Sequence, residues 1–86
     1  MYCIELAIKL SPMPLVVQRK SHEDAKRLYE EILQTIQKNN ERLLEITCEK
    51  VEDKRITVLV SEITAVQIYE KTSSSTSKRP GFSFQG

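Results

Sequence analysis

The sequence holds no tryptophan, a single histidine, and only two glycines, Gly81 and Gly86, both close to its end. Each shortage removes a class of chemistry. With no glycine in the first eighty residues there is no glycine-rich loop to cradle a phosphate with backbone N–H groups. The chain has no CxxC pair, no HxxxH pair and no carboxylate-rich loop, so neither a metal site nor any other cofactor is expected. His22 falls where a helix begins and has no cysteine or serine at motif spacing. A solvent-facing helix-start residue is the plainer account of it than a general base. No apolar run approaches the roughly 20 residues of a membrane-spanning helix. The start, MYCIELAIKL, carries Glu5 where a signal peptide needs an apolar core. The expectation is a cytoplasmic protein without membrane insertion. Cys3 and Cys48 then read as reduced thiols buried within strands. Nothing near either one in the sequence lowers its pKa by a recognisable route, so no enzyme activity is expected.

What is present is an ordinary small-domain composition of 86 residues, 40% hydrophobic and 29% charged, with a formal net charge of +1. The distribution of charge says more than the sum. Of thirteen basic residues, Lys71, Lys78 and Arg79 lie from residue 71 onward, where there is no acid, so the first seventy residues carry ten basic against twelve acidic side chains. A mildly acidic body bears a basic tail. Residues 1–71 read as a single domain and 72–86 as a Ser-rich, flexible basic tail.

The segment from Ser21 to Asn40 organises the body. Ala25, Leu28, Tyr29, Ile32, Leu33 and Ile36 recur at helical spacing and form one apolar stripe. Ser21 is placed to cap the N-terminus through the N–H of Asp24, and Glu23 and Asp24 set negative charge in the first turn, where the helix dipole favours it. Asn39 and Asn40 tolerate the left-handed conformation that ends a helix. On the outer face, Glu23–Arg27, Lys26–Glu30 and Arg27–Glu31 stand four apart and read as ion pairs on a solvated surface.

The flanking segments alternate with period two. Residues 2–10 set Tyr2, Ile4, Leu6, Ile8 and Leu10 on one face. Ser11-Pro12-Met13-Pro14 interrupts them, and Leu15–Arg19 follows as a second short strand. Beyond the helix come 43–49, a polar turn at Val51–Lys54, then 55–60, with Ile63 plugging the end of the core and 65–70 as a fifth strand. The order ββαβββ predicts an α+β fold, a two-layer sandwich of one helix on a five-stranded, mainly antiparallel sheet. The strand order expected is 2-1-3-4-5.

One helix, about 10 Å wide, covers only one side of such a sheet. The open face would carry Val16, Leu59, Val66 and Ile68, more apolar than a solvated face requires. Isolated exposed aliphatic side chains are common; clustered, these four would form a patch for a protein partner or a homodimer contact. For Val66 and Ile68 the alternation leaves both directions open, because Ala65, Gln67 and Tyr69 form an equally acceptable inward set. The tail offers a second candidate. Beyond Ser73–Ser77 stand Lys78, Arg79, Pro80, Phe82 and Phe84, two aromatic anchors with basic guides, the make-up of a short partner-binding motif; a frayed terminus is the plainer alternative. A nucleic-acid-binding accessory role through the basic tail is the weaker reading. The strand aromatics are only Tyr2 and Tyr69, and Glu5, Glu45 and Glu49 on the open face repel phosphate.

Three segments carry a resemblance: MPLVVQRKS, LLEITCEK and SEITAVQIYEK. With MYCIELAIKL and the helix they resemble an uncharacterised family of small cyanobacterial proteins over roughly residues 1–71. The resemblance implies a cyanobacterial, cytoplasmic lineage connected with photosynthetic physiology, and supplies no activity, cofactor or catalytic residue.

Overall fold

The computed structural model describes residues 1–71. Its elements are β1 (Tyr2–Ile8), β2 (Leu15–Arg19), α1 (His22–Lys38), β3 (Leu43–Thr47), β4 (Arg55–Leu59) and β5 (Ile63–Glu70), with a single 3-10 turn, Val60–Glu62, ahead of β5. The fold is α+β: one helix, and five strands in antiparallel sheets.

The helix forms for the reasons its sequence gives. The Ser21 hydroxyl accepts the N–H of Asp24 at 3.1 Å, and Glu23 and Asp24 occupy the first turn. At the other end Asn39 turns left-handed with φ 56°, its N–H donating to the Thr35 carbonyl. Ala25, Leu28 and Ile32 are buried. Ile36 packs at the margin of the core, and Leu33 stands on its exposed shoulder. On the outer face Arg27 pairs with Asp24 at 3.0 Å, three residues back, instead of with Glu23 or Glu31. Asp24 in the first turn is the nearer carboxylate and already lies along the Arg27 side chain.

The strands depart from the expected order. Among the described residues β1 pairs with β2 on one side and with β5 on the other, and β3 pairs only with β4, so a three-stranded sheet β2-β1-β5 and a separate β3-β4 hairpin replace one continuous sheet. The registers fix the faces. Tyr2, Ile4 and Leu6 lie opposite Arg19, Val17 and Leu15 of β2, and Ile4 and Leu6 lie opposite Ile68 and Val66 of β5. Directly opposed residues share a face, so Val66 and Ile68 point to the helix side and pack against the core. Their placement on the open face is therefore corrected. Pairing with β1 puts them beside Leu6 and Ile4, and it is Ala65, Gln67 and Tyr69 that face outward.

One core joins the parts. Ile4, Leu6 and Val17 of the sheet, Ala25, Leu28 and Ile32 of the helix, and Ile46, Cys48 and Val58 of the hairpin form a single buried cluster. β1 stops at Ile8, because Leu10 turns left-handed at φ 64° and leaves the sheet.

Candidate functional site

The outward side of the three-stranded sheet carries Cys3, Glu5, Ala7, Val16, Gln18, Ala65, Gln67 and Tyr69 by register. It is a polar network more than an apolar patch. The Glu5 carboxylate accepts a hydrogen bond from Tyr69 Oη through one oxygen, and from Gln67 Nε2 at 3.0 Å through the other. Burial pushes the Tyr69 phenol well above its usual range, and the Glu5 carboxylate and the Cys3 thiol reinforce the shift. A protonated phenol held on a carboxylate is a stable donor and not a base at neutral pH. Cys3 is buried opposite Tyr69, and Val16 is half-buried opposite Glu5.

Cys48 is different. It directly follows β3, beside β2, where its sulfur accepts the Gln18 N–H at 3.3 Å. Burial pushes this thiol up, but the backbone N–H groups of Val51, Gln18 and Lys50 and the charge of Lys54 together hold it below its ordinary value. Both cysteines are free thiols. His22 is exposed at the start of α1, its ring 5.3 Å from that of Tyr2. Among the described residues no group of three or more His, Cys, Asp or Glu stands ready to hold a metal ion, and no helix is long and apolar enough to cross a membrane.

Exposed large apolar side chains lie elsewhere, among them residues of the β1–β2 loop and of the β3–β4 hairpin. On the outer face of the hairpin Leu43 lies directly opposite Leu59, and the two side chains are 55% and 43% exposed. The β1–β2 loop presents Leu10, 98% exposed, and Met13, 73% exposed. Leu10 does so from a left-handed backbone, which costs a bulky residue about 1–2 kcal/mol. Both regions are tied to the same three-residue turn: Val60 N–H donates to the Arg42 carbonyl at 2.9 Å, and Lys9 N–H to the Glu62 carbonyl at 2.8 Å. The 3-10 turn thus holds Leu10 on one side and the Leu43–Leu59 pair on the other.

Of the residues singled out from the sequence, Leu59 is exposed in this group, Val16 sits apart on the polar face, and Val66 and Ile68 are turned inward. Lys78, Arg79, Pro80, Phe82 and Phe84 lie outside the described residues. Sequence reasoning missed Leu10, Met13 and Leu43. Alternation assigned Leu10 to the core, and the signal against it was the Ser11-Pro12-Met13-Pro14 break immediately after.

A model of the UPF0367 protein family matches residues 3–71. The chain is 81% identical over 85 residues to a UPF0367 protein of Prochlorococcus marinus strain NATL1A, covering 99% of each. It is 62% identical over 85 residues to one of strain SARG, covering 98% of each. It is 56% identical over 86 residues to one of Synechococcus sp. strain WH7803, covering 99% of each.

Proposed function

The chain belongs to the UPF0367 protein family, and from that premise we propose that it is a small, non-enzymatic protein-interaction module of the cytoplasm. The observation that carries this reading is the exposed apolar group at the 3-10 turn. Leu10, Leu43 and Leu59 are presented to solvent there, one of them from a backbone conformation that bulky residues avoid. Strained, outward-facing apolar residues persist where a contact uses them. The Glu45–Arg55 pair, 3.7 Å apart beside the leucines on the hairpin's outer face, supplies a charged rim. The partner that fits is a protein surface with an apolar pocket and both signs of charge at its border. The relatives named above are cyanobacterial, which supports a partner within photosynthetic physiology.

The test is affinity capture from a cyanobacterial lysate with three baits, each with and without nuclease: the full chain, a chain ending at Lys71, and the full chain carrying Leu10→Ser and Leu43→Ser. The reading expects one partner with the first two baits and its loss with the third. Capture that needs residues 72–86 moves the function to Lys78–Phe84 and overturns this placement. Capture indifferent to the serine substitutions overturns it too, as does capture abolished by nuclease.

A further inference from the structure

The two edges of the three-stranded sheet are treated differently by the fold. Backbone groups of alternate residues in a strand point to alternate sides. Along β2 and into Lys20 the outward set is Val16, Gln18 and Lys20, and the hairpin engages four of the groups on this edge. Lys54 Nζ donates to the Val16 carbonyl at 3.0 Å, and the Gln18 N–H donates to Cys48 Sγ. The Gln18 carbonyl accepts the Glu49 N–H at 3.0 Å, and the Lys20 N–H donates to Glu49 Oε1 at 2.7 Å.

The opposite edge is β5, the longest strand of the fold. The bond from Lys71 N–H to the Met1 carbonyl at 2.8 Å fixes its phase. Tyr69 and Gln67, in step with Lys71, face β1, so Val66, Ile68 and Glu70 turn their N–H and C=O groups away from the sheet. Among the described residues none pairs with these groups. Along most of this edge, up to Tyr69, charged and proline guards are missing as well. Ile63–Tyr69 runs ITAVQIY, seven residues with no charge, no proline and no glycine. The bulge near Ala7 bends only the start of the strand, leaving 65–71 regular.

We infer that β5 is a dimerisation edge: two copies of this chain pair β5 to β5, antiparallel, with Ile68 on the two-fold axis and Val66 opposite the partner's Glu70. This register engages all three outward residues of each copy. It sets Gln67 beside the partner's Tyr69, and Ala65 beside the partner's Lys71, so no like charges oppose each other. The edge is therefore complementary to itself in hydrogen bonding and in charge, which an isologous contact requires. The self-contact lies at the strand edge, and the outward sheet face with its Glu5 network is left free.

The experiment is analytical ultracentrifugation of the full chain across a concentration series, with amide hydrogen exchange at its two ends. The expected result is a monomer–dimer equilibrium in which the Val66, Ile68 and Glu70 amides gain protection with concentration, while those of Gln67 and Tyr69 are protected throughout. Two variants test the edge without touching the core. Glu70→Pro deletes an outward N–H that no bond among the described residues uses, and Ala65→Lys, at an exposed position, sets a like charge against the partner's Lys71 on both sides of the axis. Each raises the dissociation constant about tenfold or more, with the monomer's circular dichroism unchanged. A chain that stays monomeric throughout overturns the inference. So does a dimer that leaves the three amides unprotected, or one that ignores both variants.

Discussion

Tyr69 shows how one side chain records the architecture around it. Its hydroxyl is bound to Glu5, and burial with that carboxylate keeps the phenol protonated far into the alkaline range. The folded-state pKa is raised above the unfolded value of about 10. The stabilising effect is therefore complete below about pH 10 and is lost as the pH climbs beyond it, where the unfolded chain ionises its phenol and the folded chain does not. Tyr69→Phe removes the hydrogen bond, at a cost of about 1 kcal/mol for a half-buried group, and removes the titration with it. Urea midpoints at pH 8 and pH 10.5 should show the wild type more stable at the lower pH and the gap narrowing at the higher one. Parallel behaviour of the two proteins would mean that Glu5 does not hold the phenol. The sequence placed Glu5 on the open face. It left open whether Tyr69 joined Glu5 there, because that depends on the partner of β5.

Among elements, the helix was legible to both ends, since its cap, its charged first turn and its terminating Asn39 are local chemistry within a few residues. The β3–β4 hairpin was legible for a similar reason. A polar run, Val51–Lys54, separates two alternating segments, and the turn closes with Lys54 N–H on the Val51 carbonyl at 3.2 Å. Strand partnership was not legible in the same way. Whether β1 accepts β3 or β5 depends on contacts some sixty residues apart, and alternating patterns are equally satisfied by either. Within the hairpin turn Asp53 adopts φ 66°, a region aspartate tolerates, glycine occupies freely and β-branched residues avoid. Asp53→Gly is therefore expected to leave stability unchanged or raise it by about 0.5 kcal/mol, and Asp53→Val to lower it by about 1–2 kcal/mol. Thermal melts of the pair check the ordering. A valine variant as stable as the glycine variant would mean that the turn relaxes out of its left-handed conformation.

At the scale of the molecule, the division into a three-stranded sheet and a hairpin raises the question of whether two units fold independently. The core argues that they do not. Ile32 is fully buried in a cluster that holds Ile4 and Leu6 of β1, Val17 of β2, and Ile46 and Val58 of the hairpin. The hairpin alone has one apolar face of five-residue strands, and an isolated two-stranded hairpin is marginal in water. It stands because Ile46, Cys48 and Val58 join the shared core while Cys48, Glu49 and Lys54 fasten it to β2. Ile32→Ala should cost about 2–5 kcal/mol, a large share of the stability of a domain this small. The loss should fall on both sheets alike. The amide of Ile4, bonded towards β2, and the amide of Val58, bonded towards Leu44, should lose the same exchange free energy in the variant. Val58 retaining its wild-type value while Ile4 weakens would identify the hairpin as a separate unit. Equal loss would establish the helix as the piece through which the two sheets become one cooperative structure.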